Sequence, residues 1–371
     1  MTFFPYLLEG LARTVSIKRS RSYGNDVGRE AAIALAKEAR RNELVLSSTG
    51  TIRNNKSSKF TSVCSKRGNK GINQDSFVVW EDYGFQEDMM FCGIFDGHGP
   101  WGHVVAKQVR QLLPSALLCN WQETIALRSP SEDPEADFES LSWFEIWKQS
   151  YLKTYAAMDL ELKHNRRIDS YHSGTTALTI VKQGDHLIIA NIGDCRAVLA
   201  TTSDHSSLLP IQLTVDFKPD LPQEAERITQ SRGKVSSSHD EPGVYRVWNP
   251  NGETPGFAIS RAFGDYCVKE YGLISVPDVT HRKISSQDQF VILATDGVWD
   301  VISNKEAVRI VSSAPDREKS AKRLVECAAQ EWKRKRRGFA VDDISAICLF
   351  FDAAWTQAAN YSLKVTKELS P

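Results

Sequence analysis

Phe91-Cys92-Gly93-Ile94-Phe95-Asp96-Gly97-His98-Gly99 is the stretch on which the architecture turns. Its apolar run is too short for a helix and reads as a buried strand, and Asp-Gly reads as that strand's abrupt end. The Asp96 carboxylate is thereby held at the rim of a packed sheet. Gly97 carries no Cβ, which leaves its backbone carbonyl open to approach, and His98 sets a titratable ring beside the acid. Far along the chain, Phe290-Val291-Ile292-Leu293-Ala294-Thr295-Asp296-Gly297 repeats the design. Ala190-Asn191-Ile192-Gly193-Asp194 ends a third apolar segment with an acid, and Asp342-Asp343 opens a fourth, 344–351. Taken singly, Asp96 or Asp296 is as well explained by a turn or a cap, and Asp194 by a β-turn acid holding Arg196. Together they carry more. Buried carboxylates repel one another and are costly to desolvate, so several at strand ends call for a compensating cation. Ligands made only of oxygen select a hard ion such as magnesium or manganese.

Bulk properties narrow the class. The chain has 371 residues, with 46 Lys+Arg against 46 Asp+Glu. Zero formal charge argues against a nucleic-acid binder, and no apolar segment is long enough to span a bilayer. Seven cysteines, several in apolar runs (Cys92, Cys195, Cys348), read as reduced core residues of an intracellular protein rather than a zinc site or a disulfide framework. The amino terminus pairs a short apolar patch, 3–8, with a basic tract. It lacks the marks of a secretory signal, and Thr2 rules out myristoylation. A flexible tail is the simpler account, and a peripheral membrane contact stays open.

Three parts are expected along the chain. Residues 1–58 form a peripheral segment with one helical pattern near 30–41, 59–353 the folded domain, and 354–371 a tail. Within the domain, 77–80 and 89–95 are predicted as neighbouring strands and 104–118 as a helix. Residues 129–140 read as a loop. The longest helical signal, 143–167, carries Ile146, Trp147, Tyr151, Tyr155, Met158 and Leu162 at helical spacing, a core stripe. Strands follow at 175–181, 186–192 and 196–200, the first two joined by a hairpin turn, then a short helix at 222–231. The region 233–255, rich in Gly, Pro and Ser, reads as a mobile loop near the site. A strand at 290–294, helices at 304–311 and 317–333, and a strand at 344–351 complete the domain. The basic run Lys333-Arg334-Lys335-Arg336-Arg337 reads as a solvated helix end, with nuclear entry left open. Strands come in meandering runs with helices between runs. That pattern predicts an α+β fold, two packed antiparallel β-sheets flanked by helices in an αββα sandwich.

With these residues assembled, the sequence resembles the metal-dependent type 2C protein serine/threonine phosphatases, and among them the plant branch. The likeness covers roughly 60–352 and rests on eight ordered motifs. They begin with Lys70-Gly71-Ile72-Asn73-Gln74-Asp75 and Phe95-Asp96-Gly97-His98-Gly99. Ser173-Gly174-Thr175-Thr176-Ala177, Asn191-Ile192-Gly193-Asp194-Cys195-Arg196 and Asp216-Phe217-Lys218-Pro219 lie in the middle. Ser260-Arg261-Ala262-Phe263-Gly264-Asp265, Ala294-Thr295-Asp296-Gly297-Val298-Trp299-Asp300 and Asp342-Asp343-Ile344-Ser345 complete the set.

The resemblance implies two Mn²⁺ or Mg²⁺ ions per subunit. Asp96 would bridge them, the Gly97 carbonyl would bind one, and Asp296 and Asp342 the other. Asp343 is the alternative to Asp342, Asp75 a supporting acid, and Asp194 with Asp300 the candidates for a weaker third ion. Two cations about 4 Å apart would acidify a shared water to hydroxide at neutral pH. His98 would protonate the serine or threonine leaving oxygen, and Lys70 would neutralise a phosphate oxygen. Two positions depart from the common family pattern. Lys70 stands where Arg is frequent and offers a point charge in place of a bidentate fork, and Gln74 stands where Glu is frequent. These departures motivate a rival, a phosphoprotein-binding module without turnover, although Asp96, Asp296 and His98 are all kept. An aspartyl-phosphate mechanism is set aside, because no helper acid follows Asp96. The expectation is therefore a cytoplasmic monomeric phosphatase of phosphoproteins, kinases or other signalling proteins among them.

Overall fold

Alternation along two sets of strands sends one row of side chains between the sheets and the other outward, under helices. The computed structural model describes residues 51–52, 60–126, 142–203, 207–237, 242–252, 256–335 and 340–351. The expectations for the amino-terminal segment other than 51–52, its 30–41 pattern, the 129–140 loop, Arg336, Arg337 and the 354–371 tail lie outside the described residues.

The described residues open with β1 (Thr51–Ile52), β2 (Thr61–Lys66), β3 (Ser76–Glu81), β4 (Met89–Phe95) and the short β5 (Gly97–His98). Helices α1 (Gly102–Ala126) and α2 (Trp143–His164) come next. They are followed by β6 (Gly174–Thr175), β7 (Ala177–Gln183), β8 (His186–Ile192), β9 (Arg196–Thr202) and β10 (Leu208–Gln212). Helix α3 (Pro222–Gln230), β11 (Lys234–Ser237), β12 (Tyr245–Trp248), β13 (Phe263–Gly264) and α4 (Tyr266–Lys269) form the middle. The described residues finish with β14 (Asp278–Lys283), β15 (Asp288–Ala294), α5 (Asp296–Trp299), α6 (Asn304–Ser312), α7 (Ser320–Lys335) and β16 (Ile344–Phe350).

One sheet runs β1-β3-β4-β7-β8-β14 and the other β10-β9-β15-β16-β2. All pairings within them are antiparallel except β1 with β3. Between the sheets lie Val79, Cys92, Ile94, Leu178 and Ile180 from the first, against Ala197, Leu199, Val291, Leu293 and Ile347 from the second. Val78, Phe91 and Phe95 face the other way, into α1 and α2, where the predicted stripe of α2 is buried throughout. Each such large apolar side chain contributes about 1.5–3 kcal/mol on burial. Val198, Ile292, Ala346 and Cys348 pack outward against α6 and α7. The expected αββα sandwich is what the molecule forms.

The differences have local reasons. Helix α1 runs past 118 because Trp121 stacks on Trp147 of α2, with ring centroids 4.8 Å apart, which rewards the extra turns. Helix α2 stops at His164, not 167. Asn165 is extended there, and its side-chain oxygen accepts from the Arg167 N–H at 3.1 Å, an Asx turn that competes with the helix. The region expected as a mobile loop, 233–255, instead contains the antiparallel pair β11–β12. Its Val247 joins a small separate core with Ile228, Phe257 and Ile259. Strands β2, β10 and β14 were not anticipated: β2 and β14 are mixed and polar in sequence, and β10 contains Pro210, which is tolerated because β10 is an edge strand. All seven cysteines are free, and Cys92, Cys195 and Cys348 are buried as expected. No helix among the described residues is long and apolar enough to cross a membrane.

Candidate active site

Strand β4 delivers Asp96 to the rim of the first sheet, and two threonines lock it there. The Asp96 N–H donates to Thr176 Oγ1 at 3.0 Å, while its carbonyl accepts from the Thr176 N–H at 2.9 Å and from Thr175 Oγ1 at 3.0 Å. Strand β15 delivers Asp296 to the corresponding rim of the second sheet, at the start of α5. Thr295 accepts the Ser345 N–H at 3.1 Å and donates to Asp75 Oδ2 at 3.1 Å. Acids at the ends of separate strands thus face one another across the gap between the sheets.

Their electrostatics show that they converge. Burial first, and then the charges of Asp296, Asp75, Asp342 and Asp194, push the Asp96 carboxyl well above the usual carboxylate range. Burial, followed by Asp194, Asp342 and Asp300, does the same to Asp296, and Lys218 opposes it. Asp75 is pushed up to about 7 by burial and by Asp343 and Asp342, against the hydroxyls of Ser345 and Thr295. The buried Oδ1 atoms of Asp296 and Asp75 have no hydrogen-bond partner among the described residues. A concentration of carboxylate oxygens with orphaned lone pairs fits a hard divalent cation.

As placed, no three of these acids close a ready-made metal shell among the described residues. Two lysines hold acids at the edge of the cluster. Lys70 Nζ donates to Asp342 Oδ2 at 2.5 Å, and Lys218 pairs with Asp194. Burial alone would lower either ammonium's pKa, and the carboxylate partner turns the net direction upward. Asp343 differs from its neighbour. Its two oxygens accept the Gly68 and Gln74 N–H groups, both at 2.8 Å, so it anchors the 68–74 loop while Asp342 stays turned toward the cluster. Gln74 is also spoken for, donating from Nε2 to the Gly99 carbonyl at 2.9 Å.

The surroundings of Gly97, Asp194 and His98 hold more than the sequence showed. A Cβ at residue 97 would come within 2.5 Å of the Gly102 carbonyl and 2.7 Å of the Gln74 carbonyl. Glycine is required there for close backbone packing, beyond any openness of its carbonyl. Arg196 is held by Asp216, at 2.5 and 3.0 Å, and not by Asp194. The partner of Asp194 is Lys218, which spacing along the chain could not disclose. His98 does not stand beside the acids unassisted, since its Nε2 lies 2.6 Å from Asp265 Oδ2. Burial of the ring would lower its pKa, but the Asp265 charge and hydrogen bond outweigh that and the net shift is upward. Asp265 and Lys218 both sit in the quoted motifs, and that was their only signal.

The Protein phosphatase 2C family model matches residues 62–336. The chain belongs to the protein phosphatase 2C family. It is 58% identical over 357 residues to the probable protein phosphatase 2C 73 of Arabidopsis thaliana, covering 95% of this chain and 96% of that one. It is 56% identical to the probable protein phosphatase 2C 48 of Oryza sativa subsp. japonica, over 93% and 97% of the two chains. Among solved structures, the serine-threonine phosphatase 2C from Toxoplasma gondii superposes with a TM-score of 0.68 at 28% identity. That match covers 79% of this chain and 94% of that one. This protein phosphatase 2C is accordingly a protein serine/threonine phosphatase acting on phosphoproteins, and its family is metal-dependent.

Proposed function

We propose that Asp96, the Gly97 carbonyl, Asp296 and Asp342 hold a pair of Mn²⁺ or Mg²⁺ ions, with Asp194 and Asp300 offering a weaker third position. The observation that carries this is the elevation of both Asp96 and Asp296 by burial and by two acids they share, Asp342 and Asp194, next to a buried Asp296 oxygen with no partner among the described residues. When bound, the cations supply an acidified water and the positive charge that tolerates an incoming phosphate dianion. The chain's own residues do the rest. Asp343 fixes the 68–74 loop through two backbone N–H groups, and that loop carries Lys70. Lys70, with a side chain 54% exposed, is free enough to swing from Asp342 to a phosphate oxygen. Asp75, braced by Thr295, supports the cluster from behind. His98 donates a proton to the departing serine or threonine oxygen. Its phosphoprotein substrates would be kinases or other signalling proteins.

Hydrolysis of a phosphothreonine peptide is expected to require Mn²⁺ or Mg²⁺, stop on chelation and fall by at least about 10²-fold in Asp96→Ala. Calorimetric titration of Mn²⁺ into the same variant should show weakened binding. Turnover that survives chelation, or undiminished metal affinity in Asp96→Ala, would remove this assignment.

A further inference from the structure

Asp265 has the marks of a residue kept for one contact. Its side chain is wholly buried, whereas that of His98 is 28% exposed. Its Oδ2 meets His98 Nε2 at 2.6 Å, and its Oδ1 has no hydrogen-bond partner among the described residues. The backbone at Asp265 is left-handed, φ 56° and ψ 45°, a conformation that costs a non-glycine residue energy and persists only where its surroundings enforce it. They do so here. The Asp265 N–H donates to the Ser173 carbonyl at 3.1 Å. Strand β6 lies between β5 and β13, with Gly174 opposite His98 on one side and Gly264 on the other. A Cβ at Gly174 would stand 2.1 Å from Asp265 Oδ2, so glycine there opens the path by which the carboxylate reaches the ring. The edge of Phe257 lies against the imidazole, with ring centroids 6.0 Å apart, and the Asp96 backbone carbonyl is the ring's further hydrogen-bonding neighbour.

We infer that Asp265 is the positioning residue of His98, holding the ring with Nε2 committed to the interior so that Nδ1 delivers the proton to the leaving oxygen. This rests on the reading of His98 as the acid. As the P–O bond to the serine or threonine oxygen breaks, that oxygen takes the Nδ1 proton. The ring is left neutral with its Nε2–H still donated to Asp265, and solvent returns the lost proton. The new P–O bond comes from water.

The test separates a leaving oxygen that needs a proton from one that does not. Asp265→Asn keeps the shape and tolerates the left-handed backbone, and Asp265→Gly adopts it without strain, so either can decide if the other does not fold. With saturating Mn²⁺, kcat on a phosphothreonine peptide should fall by about tenfold or more, with KM held within about twofold. On p-nitrophenyl phosphate, whose phenolate leaves unaided, kcat should change by less than about threefold. His98→Ala should show the same selectivity. Equal losses on both substrates, or no loss on the peptide, would overturn the role of Asp265. If His98→Ala itself lost both activities equally, the assignment of His98 as the acid would fail instead.

Discussion

At the level of single residues, the site is a compromise between stability and chemistry. Asp296 is pushed well above the carboxylate range by burial and by Asp194, Asp342 and Asp300. A carboxyl whose folded pKa exceeds its unfolded value binds its proton more tightly when folded. Stability is therefore greatest below the unfolded value and is lost as pH rises through the folded one. Ionised Asp296 consequently opposes folding whenever no cation is bound. Asp296→Asn should then stabilise the chelator-treated protein at pH 8, by on the order of 1 kcal/mol or about 2 °C in Tm, while reducing phosphatase activity. Thermal melts in EDTA read this directly. A lower melting temperature for the variant would mean that the acids are not in mutual repulsion.

Among the elements, α3 is bound to its neighbours by charge as well as by packing. Burial alone would raise the Glu224 pKa, but hydrogen bonds from Arg261, Arg227 and Ser260 hold it down at about 2. Arg261 Nη2 and Arg227 Nη1 donate to Oε1 at 2.7 and 2.6 Å, and Ser260 Oγ donates to Oε2 at 2.6 Å. With the folded pKa depressed, the stabilisation is present above the unfolded value near 4.5 and disappears as pH falls toward 2. The linked contribution is at most about 3 kcal/mol. Urea unfolding of wild type and Glu224→Gln should therefore converge as pH drops through that window and differ most at pH 6–7. Curves separated by a constant amount at every pH would contradict the link. The same network explains why β11–β12 is ordered. It fastens α3 to the 260–261 segment, whose neighbours Ile259 and Ala262 share a small core with Val247 and Phe257.

Across the whole molecule, the second sheet joins distant parts of the chain. Strand β16 sits between β15 and β2, with Ile344 opposite Lys66 and Leu349 opposite Thr61. Removing a central strand exposes two edges and opens the core between the sheets. A chain ending at Asp343 should therefore show no cooperative thermal transition by circular dichroism. Cooperative melting near the full-length temperature would show that β2 and β15 can close without β16. Such long-range pairing also predicts slow folding, because loop closure precedes the contacts that reward it.

Apolar runs ended by acids along 89–99 and 290–297 were enough to indicate buried strands and to raise the expectation of a cation. The meandering order of strands pointed to packed sheets. Residue chemistry and local pattern are read directly from the chain. The core stripe of α2 was legible for the same reason. The choice between Asp342 and Asp343 was not, since it depends on which carboxylate meets the Gly68 and Gln74 N–H groups. Nor could spacing reveal that Lys218 pairs with Asp194 or that Asp265 holds His98. Those partners are 24 and 167 positions apart. Sequence alone determined which groups could do the chemistry, because side-chain identity and periodicity are written in the chain. Only the tertiary structure decided which of them meet, because contact between remote positions is set by how the two sheets pack.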